Sequence, residues 1–125
     1  MLETQKPLPI YTSNGEAGAI FVKPYIFNLA GEWIGWVDAD NNVLSVHGHF
    51  VGKLSADRRI VRKREWGYGR ERKTPPPAPP TIRPPTHFPF APTLPELPTY
   101  LVDVLIEHPE LMPSVDFGDL RDDMD

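Results

Sequence analysis

His47 and His49 stand two residues apart, a spacing that puts two imidazoles on one face of a strand, where they could share a metal ion. Zinc takes at least three protein ligands, and no third His, Asp or Glu recurs beside them, so no metal or other cofactor is expected. Acid–base work would fall to Asp38, Asp40 or Asp57, but all three lie in polar turn sequences, where aspartate is ordinary turn chemistry. Ser13, Ser45 and Ser55 have no His/Asp complement or oxyanion motif, and the chain has no cysteine to act as nucleophile. Gly67-x-Gly69 is too short to cradle a phosphate and precedes no helix. The residues give no catalytic constellation, and the expectation is a protein that is not an enzyme.

A second chemistry is electrostatic. Arg58, Arg59, Arg62, Lys63, Arg64, Arg70, Arg72 and Lys73 place eight positive charges in sixteen residues, with Trp66 and Tyr68 among them. Phosphate neutralisation plus base stacking requires that combination, so residues 58–73 form a candidate nucleic-acid patch. The same charges fit a solvated edge strand, or a counter-surface for an acidic tail. Residues 1–74 hold eleven Lys/Arg and eight Asp/Glu, a balance of +3; residues 75–125 hold two Arg and nine acids, a balance of −7. Opposite signs permit docking within the chain or separate partners for each part.

A third chemistry is apolar recognition. From Pro75 to Pro98, eleven of twenty-four residues are proline, which excludes both helix and sheet and leaves polyproline II as the default. Pro89, Pro92, Pro95 and Pro98 recur every third residue and so share one edge, with Ala91, Leu94 and Leu97 along another. Such an edge can dock in an aromatic groove, and Lys73, Pro76 and Pro79 meet a basic-x-x-P-x-x-P pattern. The sequence that follows, from Thr99 to His108, predicts a helix of about three turns capped by Thr99 and stopped by Pro109, with Leu101, Val104 and Leu105 on one face. So short a helix needs a partner surface, either this chain's own or another protein's.

What positions these groups is a repeat. Residues 26–42 (IFNLAGEWIGWVDADNN) align without a gap on 43–59 (VLSVHGHFVGKLSADRR), and ten of the seventeen positions match in identity or character. A third copy begins at Ile60-Val61 and keeps Gly69. An N-terminal copy, PIYTSNGEAGAIF, fits if one residue is dropped. Each unit reads as β-formers, a residue–Gly pair (Asn14-Gly15, Ala30-Gly31, His47-Gly48), β-formers again, then a polar turn. That is a two-stranded hairpin. Strict alternation puts Trp33, Gly35 and Val37 on one inner face, as it does Phe50, Gly52 and Leu54, and leaves Ile34, Trp36, Val51 and Lys53 on a mixed outer one. Gly18, Gly35, Gly52 and Gly69 recur at one slot, where a strand-interior glycine implies close approach of another backbone near a common centre.

The stretch GEWIGWVDADNNVLSVHGHFVGKLSADRRIVRKR resembles the bacterial 4-fold beta flower domain family over about Pro9 to Lys73. The resemblance implies four small β petals about a pseudo-fourfold axis, often with a proline-rich extension. That family is functionally uncharacterised and supplies no catalytic residues to carry over.

The expected fold is therefore all-β: four hairpin repeats of about 17 residues about a pseudo-fourfold axis, with a largely disordered proline-rich tail carrying one short helix. The expected parts are a lead (1–8), the repeat module (9–73), a proline-rich linker (74–98), the short helix (99–112) and an acidic tail (113–125). About 65 residues make a marginal core without disulfides, so self-association or a docked tail would help. The longest apolar runs fall far short of the ~20 residues of a membrane helix, no signal peptide is evident, and cysteine is absent, so a cytoplasmic, non-membrane protein is expected. The functional expectation is a non-catalytic interaction or scaffold protein that displays a proline-rich arm with an apolar anchor to a protein partner or a second copy of itself. Nucleic-acid binding through 58–73 is the alternative.

Overall fold

The computed structural model describes residues 6–65 and 72–114. Trp66, Tyr68, Gly69 and Arg70, and the acidic residues after 114, lie outside the described residues. Eight strands follow one another: β1 (Leu8–Tyr11), β2 (Ala17–Val22), β3 (Tyr25–Phe27), β4 (Trp33–Val37), β5 (Asn42–Ser45), β6 (Phe50–Leu54), β7 (Ile60–Lys63) and β8 (Leu101–Asp103). Each pairs antiparallel with its neighbour in chain order, and the single sheet curls into a half-barrel. Through β7 that order follows from the short connections, which leave a strand no option but to fold back on its predecessor.

Five turns share one construction. Thr12, Asn28, Asp38, Ser45 and Ser55 each open a turn with a side-chain oxygen that accepts the amide two residues on, four residues on, or both. Their carbonyls accept the amide three residues on, at 2.9–3.1 Å, and the donor is left-handed each time: Gly15, Gly31, Asn41, Gly48 and Arg58. Only the second member of each residue–Gly pair has positive φ, so these are three-residue loops rather than the two-residue turns that both members of an Asn-Gly pair favour.

The strict alternation expected for the inner face does not hold. Phe27 stands opposite Trp33 while Ile26 stands opposite Gly35, so Ile34 is the extra residue of a β-bulge; Val51 is the same between Phe50 and Gly52. A bulge rotates the strand locally and swaps the faces of the residues around it. Ile34 and Val51, expected on a mixed outer face, are therefore buried with Val37, Ile10, Ile26, Val43 and Ile60, with Leu54 packed against them. Trp33 goes to the opposite face with Ile20, Phe27 and Val46. Phe50, expected in the core, is half-buried, as is Leu54.

Both faces are covered by the C-terminal third of the chain. Val104, Leu105, Leu111 and Met112 close the first cluster, and Ile82 and Phe88 pack on the second, as do Tyr25 and Trp36. The tail expected to be largely disordered is thus, over 72–114, seated on the sheet. Its main chain finds partners there that an isolated proline-rich segment would lack. The helix expected over 99–112 is also replaced: Leu101–Asp103 pairs with β7, and only Val104–Glu107 (α1) and a 3-10 turn at Pro109–Leu111 follow. The free edge of β7 offers 101–103 a full ladder, which outweighs the weak preference of so short a segment for helix.

The recurring glycine slot is crowded. A Cβ at Gly35 would sit 2.6 Å from both the Leu44 carbonyl oxygen and Met112 Cε, and one at Gly52 would collide with the Val61 carbonyl oxygen. At Gly18 it would meet Thr12 Cγ2 at 2.7 Å and Leu105 Cδ1 at 3.1 Å. Glycine at these positions lets neighbouring backbone, and the C-terminal plug, approach the sheet.

Candidate functional site

The surface with the most regular geometry is the rim where the proline-rich arm meets the glycine turns. Lys73 donates its amide to the Gly48 carbonyl at 3.0 Å, Ile82 to that of Gly31 at 3.0 Å, and Ala91 to that of Gly15 at 2.9 Å. Successive donors are nine residues apart, and the arm visits the turns in the reverse of chain order. Nine residues further on, the Tyr100 carbonyl accepts the Arg64 amide at 2.8 Å and leads directly into β8.

The identity of the left-handed residue follows the arm. Asn41 and Arg58 adopt φ of 65° and 63° in turns of the same construction, inside the left-handed region open to other residues, whereas Gly15, Gly31 and Gly48 stand at 87–89°, where a side chain is strained. Where the arm crosses, a Cβ at Gly31 would collide with the Ile82 carbonyl oxygen, and one at Gly48 with that of Lys73. Gly15 differs: among the described residues, nothing lies within 4 Å of a Cβ there.

Charge fastens the arm at its start. Lys73 Nζ lies 2.7 Å from Asp38 Oδ2, with the aspartate side chain 6% exposed and the lysine 54%. Burial alone would raise the Asp38 carboxyl, but hydrogen bonds from Lys73, from the Asn42 side chain and from the amides of Asn42 and Asp40 outweigh it and hold the pKa down at about 2. Asp57 is likewise lowered, first by its hydrogen bond from Arg59. A carboxyl whose pKa is lower folded than unfolded adds stability that is complete above the unfolded value, near 4, and is lost as pH falls toward the folded one. Acidification from pH 4 to pH 2 is therefore expected to remove about 1–2 kcal/mol through Asp38, allowing for the exposed lysine. Asp38→Asn, which keeps an oxygen for the turn amides, should flatten that limb of a stability-versus-pH curve by that amount. An unchanged curve would show that Lys73 does not hold the arm.

The basic patch is largely committed within the chain. Arg59, 2% exposed, bridges Asp57 at 2.7 Å, Ser13 Oγ at 3.0 Å and the Pro95 carbonyl at 2.9 Å, so one guanidinium ties two turns to the arm. Ser13 in turn donates both its amide and its hydroxyl to Asp103 Oδ2. Arg62, also buried, donates to the Val51 carbonyl at 2.8 Å; Arg58 donates to the Pro9 carbonyl and lies 5.8 Å from the centre of the Tyr11 ring; Arg64 donates to the Thr99 carbonyl. Lys63 is exposed on β7, while Trp66 and Tyr68 lie outside the described residues. Sequence reasoning counted the charges but could not see Arg59 as a buried three-way tie. Its only local sign is Asp57 two residues before it. Arg59→Lys keeps the charge and loses the planar fork, and is expected to cost about 1.5 kcal/mol in chemical denaturation. No loss would show that the fork is dispensable.

The remaining candidates are dispersed. His47 and His49 are exposed and flank Gly48 in a turn rather than sharing a strand face; the His47 carbonyl accepts from Arg72 Nε at 3.0 Å. Among the described residues, no three His, Asp or Glu are grouped to hold a metal, and no helix is long and apolar enough to cross a membrane. Leu101 and Leu105 are half-buried and Val104 fully buried against this chain's own sheet. Along the arm, Pro89, Pro92, Pro95 and Pro98 are all exposed, while Ala91, Leu94 and Leu97 are half-buried. Beside them an open groove of about 380 Å³ runs between the arm and β2, flanked by Phe90, 75% exposed, and Leu29, 49% exposed. Compared with known families, curated proteins and solved structures, the chain finds no match.

Proposed function

We propose that this chain is a non-catalytic interaction or scaffold protein that displays a proline-rich arm fastened along a β-hairpin module. The observation that carries the reading is the sidedness of the arm: the four prolines at three-residue spacing all face solvent, and the aliphatic residues between them turn toward the module. An arm already fastened at Lys73, Ile82, Ala91 and Pro95 gives up less conformational entropy on binding than a free one, which favours capture by an aromatic-lined groove on a partner. The module beneath it fits the four-petal, flower-like reading. The carbonyls of Pro24, Asn41 and Arg58, seventeen residues apart, accept the amides of Val37, Leu54 and Tyr11, and the last of these joins the first strand to the turn before β7.

The test is binding of the full chain to a panel of polyproline-reading domains of the SH3 and WW kinds. At least one micromolar complex is expected. Pro92→Ala with Pro95→Ala should weaken it at least fivefold while leaving the unfolding midpoint in place. Absence of binding across the panel, or binding indifferent to the prolines, would overturn the reading.

A further inference from the structure

Asp103 is unevenly satisfied. Its Oδ2 accepts both the Ser13 amide at 2.7 Å and the Ser13 hydroxyl at 2.8 Å. Its Oδ1 accepts nothing, and among the described residues it is the one buried side-chain nitrogen or oxygen without a hydrogen-bond partner. The residue is 4% exposed. A carboxylate oxygen left in that state is costly until a further donor comes to it.

Asp103 also lines an open groove of about 390 Å³, walled by β8, α1 and residues 94–99 of the arm. The charged groups of that lining are Arg59, Arg64, Glu96, Asp103 and Glu107. Arg59 is spent on Asp57, and Arg64 faces Glu107 at 3.8 Å. Among the described residues neither Glu96 nor Asp103 forms an ion pair, so the groove keeps an excess of negative charge. Its apolar lining is Leu94, Leu97, Leu101 and Ile106, the last 44% exposed.

We infer that this groove binds a primary alkylammonium, whose head donates to Asp103 Oδ1 and whose chain lies against Leu94, Leu97, Leu101 and Ile106. An anion would meet two unpaired carboxylates. A divalent metal needs more ligands, and among the described residues no three His, Asp or Glu are grouped to hold one. A guanidinium is a broad planar fork, whereas an ammonium is a compact head with three donors, suited to one oxygen screened from bulk water. The wall at 94–98, tied to Arg59 through the Pro95 carbonyl, yields by the width of that head. The site is independent of the interaction reading above, which concerns protein partners of the exposed proline edge.

The probe is n-butylamine, protonated at pH 7, titrated into the full chain and followed by amide NMR. Saturable shifts are expected at the Ser13 and Asp103 amides, half-maximal at or below about 5 mM, in keeping with so small a ligand. Butan-1-ol keeps the chain without the charge, and butyltrimethylammonium keeps chain and charge without a hydrogen-bond donor. Both should bind at least fivefold more weakly. Equal binding of either overturns the proposal, as does a response that never saturates, which would leave Oδ1 to solvent. Asp103→Asn keeps an oxygen for Ser13 and sets a donor amide against the ammonium, so it should weaken butylamine at least tenfold; unchanged binding overturns the proposal. Should that variant fail to fold, the two control ligands on the unsubstituted chain decide alone. A lysine blocked at both ends, Nα-acetyl-lysine methylamide, separates the sources: binding tighter than butylamine assigns the site to a lysine of another protein, and binding no tighter assigns it to a free amine.

Discussion

Gly31→Asn is expected to destabilise the chain by about 3 kcal/mol, whereas Gly15→Asn should cost only the backbone strain that a side chain meets at φ 87°, about 1 kcal/mol. Asparagine is chosen because this protein already holds one, Asn41, at φ 65° in a turn of the same construction, so the turn itself should survive. What cannot survive at position 31 is the arm's seat. The new Cβ would occupy the place of the Ile82 carbonyl oxygen, so the arm must lift, breaking the Ile82–Gly31 hydrogen bond and drawing Ile82 away from the cluster of Ile20, Phe27, Trp33 and Val46. The cost combines one lost main-chain bond with partial exposure of an apolar contact. At Gly15 the same substitution meets open space. Urea denaturation of the two variants side by side measures the difference. Equal costs would mean that glycine is retained for backbone conformation alone, and that the arm exerts no steric demand on the rim.

Truncation after Lys73 is expected to have the larger effect: loss of cooperative unfolding altogether. It removes β8 and so opens the edge of β7, strips Ile82 and Phe88 from one face, and removes Val104, Leu105, Leu111 and Met112 from the other. Val104 is fully buried and Met112 nearly so. Each such side chain contributes about 1.5–3 kcal/mol by leaving water, so losing several consumes most of the 5–15 kcal/mol typical of a domain. What remains is a sheet of about 65 residues with both faces uncovered, in the size range where cores are marginal. Truncation after Ser114 keeps every contact described above and should retain a cooperative melt. A sharp, reversible melt from the shorter truncation would show that the module stands alone and that the tail is an accessory.

The strands were legible because β-formers, residue–Gly pairs and polar turns recur in register from Ile26 to Arg59, and a local pattern suffices to specify local hairpins. The faces were less legible. Ile34 and Val51 read as outward by alternation, and only the bulge that sets two residues opposite one reverses them. Nothing in IFNLAGEWIGW announces a bulge. The arm was legible in conformation but not in location. Proline spacing sorted Pro89, Pro92, Pro95 and Pro98 from Ala91, Leu94 and Leu97, yet the amides that fasten the arm belong to Lys73, Ile82 and Ala91, whose nine-residue pitch acquires meaning only against turns sixteen and seventeen residues apart. The segment 101–103 read as helix because its apolar spacing is helical. The free edge of β7, forty residues earlier in the chain, recruits it as a strand.

Native-state hydrogen exchange at the amides of Lys73, Ile82 and Ala91 in the intact chain bears most directly on whether the arm is part of the fold. Seated on the carbonyls of Gly48, Gly31 and Gly15, these three amides should exchange at least a hundredfold more slowly than in a peptide of the same sequence, while Arg83, for which no main-chain bond is seen, should exchange much faster than Ile82 beside it. Exchange of all three at the free-peptide rate would mean the arm hangs loose, and the strapped architecture would be wrong.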